Sequence, residues 1–484
     1  MSFNGKQPTL VNQLQTDVPK EKVKAHLQVL GVFFHLLDTL AGTSKPGNVE
    51  ATVDEFFQRS TYRLQVWLEQ VIKIDGMEDF EKPLQDHELP PLDVALALHS
   101  YMLSPLRYFE DSELRFPQLK RMKEYPLASI LNVLDPTGRG YDELKCLTAA
   151  KYWQNKTQLK FNAIDSMSKD DTRVIECPSC NTAASVPWNG DRGFASPGFE
   201  YDCSKCHLAV NHDLLCAGKF FKALTQAKDG PGFCLPNTAI LVRGELDIQS
   251  RCASIVAEVW KCLQDEKGEI QPLKDLAELA ATEGSSTVAF IANKLSRAES
   301  ALRTESLPVL LRSFEHSYPF TQDVVIALHH QRPFIDTIYN QGWSASKADV
   351  PSDSDLNEAY MLYVDFLNLV LNIKRREPGW QDDLIWHTHQ LMPQNYRAFI
   401  VDHLHVYLDH LPKGEDMNAF RRHYDNEKNP KSVAVWIESR SIVALTTKGT
   451  FLPDDKPAPE SCQAGLAAPS FLVTEPATAI FASN

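Results

Sequence analysis

The sequence predicts a mainly α-helical protein with two related helical modules and a small zinc-ribbon-like β insertion between them. Apolar residues recur at helical spacing, as at Leu27, Val32 and Leu36, over long stretches on both sides of a cysteine-containing segment. That segment, residues 174–213, lacks the helical period and contains many Pro, Gly and Asn residues. One short pattern occurs both before and after it, which indicates that the two helical parts are related.

The repeated pattern consists of a His, then a Tyr or second His two positions later, followed by Leu, Pro and Tyr at fixed offsets. The two copies are His99, Tyr101, Leu103, Pro105 and Tyr108, and His387, His389, Leu391, Pro393 and Tyr396. Each copy follows an apolar, helix-like stretch, so we expect two helical modules of common design.

These features divide the chain into five expected segments. They are a loose N-terminus at 1–19, an N-terminal helical module at 20–173, the zinc-ribbon-like insertion at 174–213, a C-terminal helical module at 214–447 and a mobile tail at 448–484. The tail is rich in Pro, Ala, Ser and Thr without a period, which is typical of a segment that builds no packed core.

The composition is that of an ordinary globular protein, with 43% hydrophobic and 23% charged residues among 484. The 49 basic and 63 acidic side chains give a net charge of −14. A protein this acidic has no general field to hold a phosphate backbone, so we do not expect nucleic acid as a partner. A dehydrogenase or a kinase is also disfavoured, because the sequence contains no Gly-rich phosphate loop.

We expect a cytoplasmic protein without membrane association. The N-terminus lacks a basic region followed by an apolar one, and no run of 18 apolar residues occurs. Ten cysteines are too few for a disulfide scaffold in a chain of this length. This cysteine usage is typical of a reducing compartment.

The most specific motif is a set of four cysteines in two Cys-x-x-Cys pairs: Cys177, Cys180, Cys203 and Cys206. Two turns that each offer two thiolates can close a tetrahedron around zinc, and short strands expected at 184–188 and 199–202 bring the turns together. Such a site has no open position for a substrate, so we expect a structural zinc. His207 and His212 follow closely and are interpreted as neighbours of the site rather than as ligands.

A second group of candidate residues combines His and Asp: Asp383, His387 and His389, together with His99 from the first copy of the repeat. In a helix, Asp383 and His387 are four residues apart and share a face that can chelate a metal, whereas His389 lies about 200° from His387. In an extended segment all three share a face. Three roles stay open for this group: packing, holding a second metal of unknown identity, or moving protons.

Three stretches of the chain resemble the glycine-rich domain-containing protein family. They run from Pro90 to Asp111, from Tyr318 to Asp323 and from Asp383 to Tyr396. The chain is similar to a short fungal-type member, since it has only 21 glycines and lacks a glycine-rich region. This resemblance extends over roughly residues 20–430, and it implies a fold and a zinc site rather than a defined reaction.

Two functions follow as hypotheses. In the first, the chain is an enzyme of fungal specialised (secondary) metabolism that acts on a small-molecule substrate, with Asp383, His387, His389 and His99 as catalytic residues. Metal-assisted or acid–base chemistry of the lyase, hydrolase or rearrangement type suits such residues. In the second, the chain is a non-catalytic protein with a structural zinc that binds other proteins in signalling or stress responses.

Overall fold

The structure is a computed structural model, and it describes most of the chain. The described residues are 7–45, 47–74, 76–230, 234–237, 240–242, 245–247, 250–265, 267–297, 306–344, 351–371, 379–404, 407–411, 443–444 and 479–483. Within these ranges the protein is mostly helical with a few short strands, so the predicted mainly α-helical fold with a small β insertion is confirmed.

The helices that precede the cysteines are α1 (Gln7–Asp17), α2 (Lys20–Thr43), α3 (Val49–Val66), α4 (Leu92–Met102), α5 (Pro105–Leu114), α6 (Leu127–Asn132) and α7 (Leu147–Thr157). Helix α3 continues into a π-helical turn at Trp67–Val71. The first copy of the repeat spans the junction of α4 and α5, in which Pro105 is the first residue of α5. Proline fits a first helical turn, and it disfavours helical backbone in the residue before it, which explains the break.

The segment that contains the cysteines is built from two antiparallel hairpins. Strand β1 (Thr172–Glu176) pairs with β2 (Ala183–Pro187), and β3 (Glu200–Asp202) pairs with β4 (Ala209–Asn211). In register, Glu176 faces Ala183 and Asp202 faces Ala209, so each hairpin closes on a six-residue turn that begins with a cysteine. We call residues 172–211 the zinc module, after the metal that the sequence predicts for its cysteines.

The helices that follow the zinc module are α8 (His212–Asp229), α9 (Ser250–Leu263), α10 (Leu273–Thr282), α11 (Thr287–Ser296), α12 (Ser306–Arg312), α13 (Val324–Asn340), α14 (Asp353–Leu371), α15 (Trp380–Gln390) and α16 (Pro393–Leu404). Strands β5 (Ile240–Val242) and β6 (Glu245–Asp247) form a hairpin. Strand β9 (Ala479–Ser483) lies between β7 (Tyr407–Leu411), to which it is parallel, and β8 (Val443–Ala444), to which it is antiparallel.

Helices from before and after the zinc module share one large hydrophobic cluster. Helix α13 contacts α2, α3 and α4, and α15 contacts α2 and α14. Trp67, Tyr101, Tyr363 and Trp386 are fully buried in this cluster. A second cluster lies beneath the cysteines and joins α8, α9, α11 and α12. The boundaries of the five expected segments stay predictions.

One described helix, α2, is long and apolar enough to cross a membrane. Its most apolar window is 61% buried inside the protein, where it packs against α13 and α15. A buried core helix of this length meets the same criterion, so α2 carries no information about a compartment. Among the described cysteines, Cys234 is disulfide-bonded, whereas Cys146, Cys216 and Cys262 are free. The cytoplasmic location stays a prediction.

Candidate functional site

The four cysteines of the two Cys-x-x-Cys pairs converge in the zinc module. Their sulfur atoms all lie within 4.8 Å of one another. The Sγ atoms of Cys177 and Cys206 are 3.6 Å apart, and those of Cys180 and Cys203 are 3.5 Å apart. Four Zn–S bonds of about 2.3 Å in a tetrahedron separate the sulfurs by about 3.8 Å. The cluster can therefore hold a metal ion of the size and chemistry of zinc.

The electrostatics of the cysteines differ from one thiol to the next. Burial raises the pKa of Cys177 to about 12, whereas hydrogen bonding with Thr182 lowers the pKa of Cys180 to about 6. The backbone N–H groups of Cys206 and Lys205 lower the pKa of Cys203. A zinc ion binds thiolates, so it stabilises the deprotonated form of all four residues and releases protons on binding. A closed tetrathiolate site supplies folding energy rather than a position for substrate.

The two turns of the zinc module have the same backbone geometry. Asn181 donates its N–H to the Cys177 carbonyl, and His207 donates to the Cys203 carbonyl, both over 2.9 Å. Asn181 has φ 56° and His207 has φ 58°, so each residue after the second cysteine of a pair is left-handed. Asn is enriched in this conformation. His207 thus shapes a turn through its backbone and is not part of the four-cysteine group.

Helix α8 packs directly on the first turn of the zinc module. A Cβ atom on Gly218 would lie 2.3 Å from the Cβ atom of Pro178, which is far inside van der Waals contact. Only a glycine allows this approach. The helix begins at a cap in which the Asn211 side chain accepts from the Leu214 N–H over 3.0 Å. These two contacts fix the position of α8 against the cysteines.

The zinc module is attached to the helical body through Arg173. This β1 residue is 5% exposed, and its guanidinium lies 3.9 Å from the ring centroid of Phe194, 4.5 Å from Tyr318 and 5.0 Å from Tyr62. We call these three rings the aromatic cage. Tyr62 belongs to α3 and Tyr318 precedes α13, so the aromatic cage joins the zinc module to helical segments that come before and after it in the sequence. Stacking of a planar cation on aromatic faces stabilises such an arrangement.

The sequence-predicted His and Asp residues of the second motif lie on α15, which is regular and helical. The Asp383 Oδ1 and His387 Nε2 atoms are 3.2 Å apart, as expected for residues four positions apart. His389 points elsewhere, with its Nδ1 atom 3.3 Å from the Tyr363 hydroxyl. His387 instead packs edge-on against Phe334. The structure therefore brings Asp383 and His387 together and leaves His389 in a separate aromatic environment.

A histidine that sequence reasoning missed connects the two copies of the repeat. His26 on α2 contacts His99 through their Nε2 atoms, 2.8 Å apart. The other nitrogen of His26, Nδ1, lies 2.8 Å from the Thr388 hydroxyl on α15. The sequence gives little indication of this role for His26, because a single His within the apolar stripe of a helix is common. We call His26, His99 and Thr388 the histidine bridge.

The hydrogen bonds of the histidine bridge have a defined direction. The Thr388 hydroxyl donates to the Leu384 carbonyl over 2.7 Å, so its oxygen accepts from His26 Nδ1. A neutral His26 then has a lone pair on Nε2, and His99 donates to it from its own Nε2. His99 Nδ1 is consequently an acceptor, and it has no hydrogen-bond partner among the described residues.

Burial keeps these histidines neutral. His26, His99 and His389 are fully buried. Burial lowers the pKa of His99 to about 3 and that of His389 to about 3. Burial also lowers the pKa of His26 well below 6.5, and positive charge on His99 or His387 would lower it further. At neutral pH the histidine bridge is therefore a chain of uncharged hydrogen bonds.

The histidines do not form a second cluster of metal-ligand size in the described part of the chain. There, the four cysteines are the single group of three or more His, Cys, Asp or Glu ligand atoms that lie within 4.8 Å of one another. Asp383 and His387 offer a pair, and a pair alone is a weak metal site. The catalytic roles expected for Asp383, His387, His389 and His99 stay predictions.

The first and second stretches that carry the family resemblance meet at Asp111. Its carboxylate accepts from the Tyr101 hydroxyl over 2.5 Å, from the Thr321 N–H over 2.8 Å and from the Thr321 hydroxyl over 2.6 Å. The rings of Tyr101 and Phe320 pack 5.1 Å apart. Distant parts of the sequence that look like motifs are thus joined by direct contacts in the core.

Comparison with known proteins agrees with these motifs. Residues 292–398 match the model of the family described as glycine-rich domain-containing protein-like. This region belongs to the glycine-rich domain-containing protein-like family. It contains α13, α14, α15 and the segment from Tyr318 to Asp323, so the resemblance seen in the sequence is confirmed.

Two proteins of Arabidopsis thaliana are similar to the chain in part. Glycine-rich domain-containing protein 2 is 37% identical over 82 residues, and glycine-rich domain-containing protein 1 is 35% identical over 94 residues. These matches cover 16% and 18% of this chain but only 10% and 11% of the relatives. The chain therefore spans about a tenth of the length of these glycine-rich domain-containing proteins. No solved structure matches the chain.

Proposed function

We propose that the chain is a zinc-binding protein that acts by binding a protein partner, with its motif histidines serving the fold. The observation that carries this proposal is the histidine bridge. His99 and Thr388, which lie in the two copies of the repeat, both bond to His26 in the core. A buried polar group with specific partners is typical of a residue that fixes helix packing.

The zinc module provides a second line of support for the same proposal. The four cysteines can hold a structural metal ion in a closed site. Structural zinc stabilises chain segments that are too small to fold alone, and such segments present a defined surface. Val174 on the outer face of β1 is 56% exposed, so the module presents apolar as well as polar surface. We expect the partner to contact this module, in line with the interaction or signalling role that the sequence leaves open.

One specific observation favours the competing hypothesis of an enzyme. The Nδ1 atom of His99 is a buried acceptor without a described partner, and a lone pair of this kind can serve as a general base. Lyase, hydrolase or rearrangement chemistry in specialised metabolism would then take place at the histidine bridge. The two hypotheses differ in what the histidines must contact: another helix in the first, and a substrate in the second.

The test compares two variants of the full-length protein with wild type. One variant is Cys177→Ser with Cys203→Ser, which removes two zinc ligands; the other is His99→Gln, which keeps a hydrogen-bonding side chain in place of the buried ring. Affinity capture from cell extract is followed by mass spectrometry of proteins, and the same extract is analysed for small-molecule depletion.

We expect a protein partner that is retained by folded His99→Gln and lost by the cysteine variant. Small-molecule depletion by wild type that disappears in His99→Gln, while circular dichroism shows an intact fold, would establish the enzyme instead. Capture of the same proteins by the cysteine variant would also contradict the proposal, because the zinc module would then be dispensable.

A further inference from the structure

A cleft of about 210 Å³ lies between the zinc module and the helical body. Helix α3, the C-terminal end of α7, the loop that follows it and strand β1 each contribute to its walls. The cleft is distinct from the histidine bridge, since none of the bridge residues lines it. Clefts at the junction of two structural units are common ligand sites.

Two buried guanidinium groups form the floor of the cleft. Arg59 is 2% exposed and Arg63 is 3% exposed, and both line the cleft. Asp93 holds Arg63 in a two-pronged contact, with distances of 2.5 Å to Nε and 3.0 Å to Nη2. Glu55 holds Arg59 through Nε over 2.9 Å. Both arginines are therefore fixed before any ligand binds, which lowers the entropy cost of binding.

Hydrogen-bond donors exceed acceptors at this floor. Arg63 also donates to the carbonyls of Lys160 and Phe161, so the described residues supply acceptors for four of its five N–H groups. The fifth, on Nη1, has no partner in the described part of the chain. Lys160, at the rim, adds an ammonium that donates to the Asp165 carbonyl over 3.3 Å and lies 4.0 Å from the nearest carboxylate oxygen, which belongs to Asp171. An ammonium has three donors, so two of them stay available to a ligand.

The side wall of the cleft is aromatic. The Trp188 ring lies 5.2 Å from the Arg59 guanidinium and packs edge-on against Tyr62 with their centroids 5.8 Å apart. Both rings line the cleft. A planar ligand can pack against this wall while its polar end reaches the donors at the floor and rim.

Gln158 at the rim has a backbone conformation that its side chain does not favour. It ends α7 with φ 60°, where glycine or asparagine is the usual residue. Strained positions of this kind concentrate at binding sites. Gln158 lines the cleft, and its side-chain amide donates one N–H to the Asn155 carbonyl over 3.2 Å, so the amide has a second N–H for a ligand.

We propose that this cleft binds a small planar monocarboxylate, such as an aromatic or heteroaromatic acid. Its carboxylate accepts from Arg63, Lys160 and Gln158, and its ring packs against Trp188 and Tyr62. A single delocalised charge fits better than the higher charge of a phosphate, because Asp93, Glu55 and Asp171 lie beside the three cations and limit the positive charge of the cleft. The inference concerns a site separate from the proposed protein-binding function and does not depend on it.

The test uses isothermal titration calorimetry on the full-length, zinc-loaded protein with four probes: benzoate, nicotinate, benzamide and inorganic phosphate. The organic probes have about nine non-hydrogen atoms each. With the binding free energy per non-hydrogen atom that is usual for small ligands, we expect dissociation constants in the millimolar range. We expect benzoate and nicotinate to bind, and benzamide and phosphate to bind at least tenfold more weakly.

Two variants and a matched control connect binding to the cleft. Lys160→Gln removes the rim ammonium, and Gln158→Gly removes the amide while relieving the backbone strain, so the second variant keeps its fold. Both should weaken benzoate binding at least fivefold. Arg192→Ala, which removes an exposed guanidinium at a different cleft of the zinc module, should leave benzoate binding unchanged. Absence of benzoate binding, or benzoate binding that neither cleft variant weakens, overturns the proposal.

Discussion

His26 and His99 share a hydrogen bond between their Nε2 atoms, which lie 2.8 Å apart in a fully buried position. Two neutral imidazoles can make this contact only when one donates and the other accepts. Protonation of His26 at Nε2 removes the acceptor, and protonation of either ring adds charge to the core. The contact that joins the two copies of the repeat is therefore sensitive to pH, and this leads to the first prediction.

Acidification should destabilise the fold through the buried histidines. The pKa values of His99 and His389 are about 3 in the folded protein, below the value of about 6.5 in an unfolded chain. The unfolded state thus binds more protons, so stability is full above pH 6.5 and is lost as pH falls toward 3. Each such histidine adds a slope of about 1.4 kcal/mol per pH unit over that window.

Urea unfolding between pH 7.5 and 5, with zinc content measured at each pH, checks this prediction. His389→Gln should lower the slope below pH 6 by about 1.4 kcal/mol per unit. The control Asn155→Gln, at an exposed position and without a change of titratable group, should leave the slope unchanged. Equal slopes in wild type and His389→Gln would show that His389 is not held neutral by the fold.

Gly218→Ala should destabilise the protein, although alanine usually stabilises a helix. The added Cβ atom would lie 2.3 Å from that of Pro178, so α8 must shift away from the first cysteine turn. Overpacking of this kind costs about 1–3 kcal/mol. The matched control is Gly42→Ala in α2, where nothing lies within 4 Å and a gain of about 0.5–1 kcal/mol is expected. Thermal unfolding compares the stability of both variants with wild type. A Gly218→Ala protein that is more stable than wild type would contradict the close contact between Gly218 and Pro178.

His207→Gly should stabilise the protein and leave its zinc content unchanged. Because His207 is left-handed with φ 58°, His207→Gly relieves strain and should stabilise the protein by about 0.5–1 kcal/mol, whereas His207→Val should destabilise it. Metal analysis should find the same zinc content in wild type and His207→Gly. Loss of zinc on this change would mean that the imidazole is a ligand.

Arg173→Lys should weaken the attachment of the zinc module to the helical body. Lysine keeps the charge but loses the planar group that stacks on Phe194 and Tyr318. We expect a loss of about 1–2 kcal/mol in denaturant unfolding, compared with less than about 0.5 kcal/mol for the exposed control Arg192→Lys. Similar values for the two variants would argue against a structural role of the aromatic cage.

The sequence allowed local features to be predicted better than distant contacts. The spacing of Cys177, Cys180, Cys203 and Cys206 determines two turns and a metal geometry within one short segment, so the cluster could be predicted. The β2 strand at Ala183–Pro187 likewise lies within one residue of its expected position. Each of these features depends on neighbours in the chain.

The histidine bridge could not be predicted in this way. His26 and Thr388 are 362 positions apart, and nothing local in α2 shows which helix its buried face will meet. The same holds for Asp111 and Thr321, which are 210 positions apart. The cleft at Arg63 depends on where the zinc module settles against α3. Tertiary packing, rather than helical period, decides these contacts.

The most direct measurement is the metal content per chain, by mass spectrometry of the chelator-washed full-length protein. The account predicts one zinc in wild type and in His387→Asn with His389→Asn, and none in Cys177→Ser with Cys203→Ser. This result would leave the cysteines as the metal centre and the histidines as parts of the fold. A second metal that survives the cysteine changes and disappears with the histidine changes would contradict the account and make the α15 residues a metal site.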